Sequence, residues 1–156
     1  MKKVLIVEDE ILARLGLRQL VDWRKLELEL LPDATDGEEA LEMIRNSCPD
    51  IILLDLNIPK VSGLEILEFL KKEEMPTKVI VVSCQEEFDV VKKAMKLGAY
   101  DYLRKLNLSS DELENILEKC LVETEERITV HMQGIREIRY EEIVSCLLYT
   151  SDAADD

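Results

Sequence analysis

Short apolar runs recur along the chain with room for one helix between each pair: "VLIV" at 4–7, a weaker "LELELL" at 26–31, "IILL" at 51–54, "VIVV" at 79–82 and "YDYL" at 100–103. Three of them do not alternate apolar with polar residues, so both faces of the sheet they form must be covered, as in parallel strands flanked by helices. The intervening segments supply those helices. Apolar residues recur at helical spacing from Ile11 to Val21, and Asp36 stands as N-cap before Ala40, Leu41 and Ile44 on one face. Further helices are expected from Gly63 to Glu73, from Glu86 to Leu97 ending at Gly98, and over "SSDELENILEKCL". In the last, Ser109 and Glu112 have capping-box spacing, and Leu113, Ile116, Leu117, Cys120 and Leu121 form a stripe.

The pattern predicts a (βα)5 doubly wound α/β fold, a five-stranded parallel sheet of flavodoxin-like order 2-1-3-4-5 with helices on both faces. A length of 156 residues, 47% of them hydrophobic, suits one such domain, assigned to 1–122, plus an appendage. Residues 123–145 are charge-rich with Gly134 in their middle, and read as a linker or the start of an inter-domain helix. The end, "CLLYTSDAADD" at 146–156, resembles the translation of a transposon-type sequencing adapter. It is expected to be artefactual, to dock on nothing, and to stand where the natural gene continues.

A formal charge of −14 argues against direct grip on nucleic acid or anionic lipid, which is made mainly by Lys and Arg. Cys48, Cys84, Cys120 and Cys146 include no C-x-x-C pair and His131 is the sole histidine, so neither a zinc site nor a disulfide framework is suggested. The cysteines read as reduced, mostly buried hydrophobes. No apolar stretch approaches the roughly 18 residues needed to span a bilayer, and the N-terminus is not a signal peptide, so a soluble cytoplasmic protein is expected.

Parallel strands all end on one edge, so the residues ending them gather there. Glu8 and Asp9 end the first strand and Asp55 the third, neighbours at the switch point of the 2-1-3-4-5 order. Three crowded carboxylates repel one another, and a hard divalent cation relieves this; Mg2+ fits best, because it keeps waters that a phosphate can displace. A carboxylate so held can attack phosphorus and form an acyl phosphate. Ser83, ending the fourth strand, could donate to a phosphoryl oxygen, and Lys105, after the fifth, could pair with its charge. Any one of these alone is more often a turn acid, a turn hydroxyl or a surface lysine. Their joint placement carries the reading.

Those residues resemble the bacterial response-regulator receiver domain, over residues 2 to about 122. "VLIVEDE" looks like its metal-binding acid pair, "LLDLNIPKVSG" like its phosphoacceptor loop, "VVS" like its switch hydroxyl and "GAYDYLRK" like its switch aromatic and lysine. "LGLRQLVDW", "TDGEEALEMI" and "EEFDVVKKAMKLGAYDYL" look most like YesN-type receivers joined to AraC-type helix-turn-helix outputs. The resemblance implies that Asp55 is the phosphoacceptor, Asp9 a direct Mg2+ ligand, Glu8 a water-mediated one and Asn57 a ligand through its backbone carbonyl. Ser83, Lys105 and Tyr102 would be the transducing set, with Ser83 and Tyr102 shifting inward. It implies a sensor histidine kinase as partner, homodimer formation, contact with DNA only through a missing output domain, and no turnover of external substrates.

Leu106 replaces the proline that the family usually places after the lysine. A cis bond before a non-proline residue costs about 2.5–4 kcal/mol, so a trans loop is expected there. The alternative reading is a phosphorylation-independent interaction module, which the lysine loop favours and the intact acids oppose. A haloacid-dehalogenase-type phosphatase would need D-x-D at the first strand, which "VEDE" does not provide, and no G-x-G-x-x-G or P-loop is present.

Overall fold

A computed structural model of the chain describes residues 1–84 and 87–123. The elements follow the expected order: β1 (Lys2–Val7), α1 (Ile11–Leu20), β2 (Leu28–Leu30), α2 (Gly37–Ser47), β3 (Ile51–Leu54), α3 (Gly63–Lys72), β4 (Lys78–Ser83), α4 (Phe88–Lys96) and β5 (Asp101–Arg104). A last helix, α5, covers 110–123. All strand pairs are parallel, in the order β2-β1-β3-β4-β5.

Two compact units make up the chain, Met1–Glu114 and Asn115–Asp156. The first holds the whole sheet with α1 to α4; the described part of the second is the α5 stretch 115–123. Except for Glu123, the expected linker at 123–145 and the adapter-like tail at 146–156 lie outside the described residues.

Register explains why the central strands are apolar throughout. Leu5, Ile52 and Val79 pair in one row and Val7, Leu54 and Val81 in the next, and all six belong to the core formed with Ala40 and Ile44 of α2, Ile66, Leu67 and Leu70 of α3 and Ala94 of α4. The alternate residues Val4, Ile6, Ile51, Leu53, Ile80 and Val82 face the other way and are also buried. Right-handed crossovers account for both layers: β1 to β2 runs toward one edge and every later connection toward the other, so α1 lies on the face opposite α2, α3 and α4. In α5, Leu113, Leu117 and Cys120 are buried at i, i+4 and i+7.

Helix ends follow local chemistry. The Asp36 carboxylate accepts from the Glu39 amide at 2.8 Å, as its N-cap position demands. Ser109 and Glu112 bond reciprocally at 3.1 and 3.4 Å, and Ser62 and Glu65 form a second capping box at the start of α3. Gly98, with φ +100°, turns the chain out of α4 in a conformation that L side chains rarely adopt. Trp23 is buried, its indole N–H donating to the Arg18 carbonyl at 3.0 Å.

The cysteines depart from expectation. Cys48, Cys84 and Cys120 are free thiols, but only Cys120 is buried. Cys48 is the left-handed C-cap of α2, and Cys84 follows the last residue of β4. The left-handed turn that ends α2 fixes the position of Cys48, and both residues stand at the ends of elements rather than in the core.

Candidate functional site

Because Val7 pairs with Leu54, the residues that follow them, Glu8 and Asp55, leave adjacent strands at one level. The Asp55 amide donates to the Val7 carbonyl and the Glu8 amide to the Ala34 carbonyl, each at 3.0 Å, so the sheet stays paired up to the acids. Glu8 is 2% exposed and Asp55 5%, whereas Asp9 is open to solvent. One oxygen from each of the three lies within 4.8 Å of the others.

Lys105 closes the group. Its amide donates to the Ser83 carbonyl at 3.1 Å, which extends the β4–β5 ladder past Arg104 and brings the lysine to the same edge. Its Nζ lies 2.7 Å from Glu8 Oε1 and 3.0 Å from Asp55 Oδ2. No cis peptide bond occurs among the described residues, so the lysine reaches both acids from a trans loop that carries Leu106. The contact with Asp55 is a directed hydrogen bond; Glu8 Oε1 has the ion pair but no hydrogen bond of good geometry.

The remaining side chains are held from nearby. Glu8 Oε2 accepts from the Glu10 amide at 3.1 Å, and Asp55 Oδ1 from the Asn57 amide at 3.1 Å. Asn57 itself is exposed. Ser83 is fully buried at the end of β4. On β5, Tyr102 packs against the core with its hydroxyl already buried. Glu8, Asp9, Asp55 and Lys105 therefore converge, with Ser83 and Tyr102 on the flanking strands β4 and β5.

Burial raises the carboxyl pKa of Glu8, and the neighbouring Asp55 charge adds to this; the close Lys105 ammonium and the hydrogen bond from the Glu10 amide oppose it without cancelling it. At Lys105 burial disfavours the ammonium, but its close contacts with the Glu8 and Asp55 carboxylates outweigh that and hold it firmly protonated, above the ordinary lysine range. A hard cation suits this donor set. Three carboxylates each bring an oxygen within 4.8 Å of the others, and that of Asp9 is open to solvent.

Sequence reasoning missed three supports. Arg14 Nη1 donates to the carbonyls of Glu8 and Asp9, both at 3.2 Å. Gly63 lets α3 start directly against the Asp55 loop, since a Cβ there would lie 2.6 Å from Leu56 Cα and 2.9 Å from the Asp55 carbonyl oxygen. Gly37 likewise presses on the Val61 backbone, and its amide donates to the Pro59 carbonyl at 3.0 Å. Only the glycines left a trace in the sequence, each standing directly after a helix-capping residue.

An acid triad and a lysine at the switch point of a doubly wound sheet stand where domains of this fold class bind their ligands. Residues 4–118 match the response regulator receiver domain family, and the chain belongs to it. Receiver domains bind Mg2+ at an acidic pocket, work with histidine kinases in two-component systems, and are regulators rather than enzymes. An uncharacterized response regulatory protein of Staphylococcus epidermidis is 33% identical over 118 residues, 76% of this chain and 46% of that protein. The uncharacterized transcriptional regulatory protein YesN of Bacillus subtilis is 30% identical over 141 residues, 90% of this chain and 38% of YesN. The receiver domain of AraT, a response regulator from Geobacillus stearothermophilus, superposes with a TM-score of 0.73 at 31% identity, covering 80% of this chain and 96% of that one. The chain thus spans about half the length, or less, of the curated relatives it matches. Among the described residues no helix is long and apolar enough to cross a membrane.

Proposed function

We propose that the chain accepts a phosphoryl group on Asp55 from the phosphohistidine of a sensor histidine kinase and relays the change to an output module. A carboxylate oxygen of Asp55 bonds to phosphorus as the phosphorus–nitrogen bond breaks, leaving the electron pair on the imidazole and an acyl phosphate on the aspartate. Mg2+ bound by Asp9, Asp55, the Asn57 backbone carbonyl and, through water, Glu8 would neutralise charge on the transferring oxygens. Lys105, 3.0 Å from Asp55 Oδ2, is placed to follow that charge onto the phosphoryl group. Ser83 donates its hydroxyl to a phosphoryl oxygen. Since the Tyr102 hydroxyl is already buried, phosphorylation stabilises an inward placement of that ring and biases the face around α4 and β5.

The output, on this reading, is a helix-turn-helix transcription regulator of the AraC type, and the biased face alters pairing between two copies of the chain. Two facts support it: the matched residues make up only 46% of the Staphylococcus epidermidis relative and 38% of YesN, and YesN is a transcriptional regulatory protein. The observation that carries the phosphoacceptor role is the meeting of Glu8, Asp9 and Asp55 with the Lys105 ammonium at one sheet edge. Incubation with acetyl phosphate and Mg2+, followed by intact-mass measurement, should give one phosphoryl adduct on the wild type and none on Asp55→Asn. An unmodified wild type leaves the phosphorylation-independent interaction module; an undiminished adduct on the variant moves the acceptor elsewhere.

A further inference from the structure

The three acids are not held alike. Glu8 has the Glu10 amide and Lys105, and Asp55 has the Asn57 amide and Lys105. The Asp9 carboxylate has no hydrogen bond or ion pair among the described residues, and it is exposed. What holds this residue is its backbone, which limits the rotamers open to the carboxylate. The two peptide planes that bracket the Asp9 Cα are those whose carbonyls belong to Glu8 and to Asp9, and Arg14 Nη1 donates to both at 3.2 Å. One guanidinium thus pins the peptide on each side of a single residue.

The guanidinium is itself anchored. Arg14 Nε lies 3.8 Å from Asp33 Oδ2, and Asp33 is fixed by Arg18 at 2.7 Å. The Arg14 amide donates to the Glu10 carbonyl at 3.0 Å, so the first turn of α1 and the loop before it share one hydrogen-bonded frame. We infer that Arg14 is a positioning residue for the cation site, setting the aim of the Asp9 carboxylate by clamping the backbone on both sides of it.

This rests on the Mg2+-binding reading above, and charge alone makes the opposite prediction. A cation beside an acidic site repels Mg2+, so if Arg14 acted only as a charge, removing it would tighten binding. If it positions Asp9, removing it loosens binding, as loss of partners that orient metal ligands typically does by tenfold or more.

Mg2+ alone is titrated into the full chain and followed through the amide resonances of Glu8, Asp9 and Asp55. Arg14→Met should weaken binding about tenfold. Arg14→Lys, which keeps the charge but loses the planar fork, should weaken it less, and in the same direction. Unchanged or tighter binding in Arg14→Met, or wild-type affinity in Arg14→Lys, overturns the inference and leaves the metal site intact. A wild type that binds no Mg2+ removes the metal site and the inference together. If Arg14→Met does not fold, the Arg14→Lys comparison decides.

Discussion

Lys60 and Lys105 each reach two carboxylates, and their surroundings make the two groups unlike. Lys60, after Pro59 in the loop that follows β3, lies 3.5 Å from Asp36 and 3.6 Å from Glu38, with its side chain 56% exposed. Lys105 lies at 2.7 and 3.0 Å from acids that are almost fully buried. Both lysines are held above the ordinary range, Lys60 first by the charge of Asp36. In water the Lys60 pairs are screened and each long side chain loses rotamer freedom to form them, so they contribute little. Around Lys105 little water remains to replace a lost partner, and removing one charge strands the others. The same residue types thus make a surface decoration in one place and a poised site in the other.

Lys105→Met tests this most strongly. It leaves Glu8 and Asp55 facing each other without a counter-charge, and urea unfolding should show a loss of about 2–3 kcal/mol. Next, a double-mutant cycle of Lys105→Met with Asp55→Asn should give a coupling of about 1–2 kcal/mol, since relieving the repulsion recovers part of that loss. The parallel cycle of Lys60→Ala with Asp36→Asn, which keeps a capping side chain, should give none; a measurable coupling there would erase the contrast.

A smaller effect is expected from pH. Glu8 has a folded-state pKa above its ordinary 4.5, so the folded chain holds that proton more tightly than the unfolded chain. Its contribution is favourable below that value and declines as pH rises through the window above it. Urea midpoints of the wild type relative to Glu8→Gln should fall across that window. Lys105 has the opposite relation to charge: its contribution is full below the ordinary lysine value of 10.5 and is lost only as pH climbs through its higher folded value. The smallest expected effect is that of Lys60→Ala alone, which should leave the unfolding midpoint unchanged.

Much of this could be read in advance because parallel strands write themselves plainly. "VLIV", "IILL" and "VIVV" are apolar on both faces and became β1, β3 and β4, and the caps at Asp36 and Ser109 are short-range chemistry. The acids were legible because strand ends share an edge. Arg14 was not, since its meaning depends on Asp33, brought beside it only by the turn from α1 into β2 and beyond. Neither was the double pairing of Lys105, which depends on the path of a loop. Cys48 and Cys84 were misread because composition says what a residue prefers, whereas a helix end or strand exit dictates where it stands.

Lys105 follows Asp55, the acid it neutralises, by 50 residues along the chain. During synthesis β1 and β3 can therefore pair well before the ammonium has been made, and until then the two carboxylates are left to water, protons or a bound cation. Adding the last strand to the sheet and cancelling the electrical cost of its centre are one event. A chain cut short before β5 lacks that counter-charge, and its two acids stay solvated instead of closing into a buried centre.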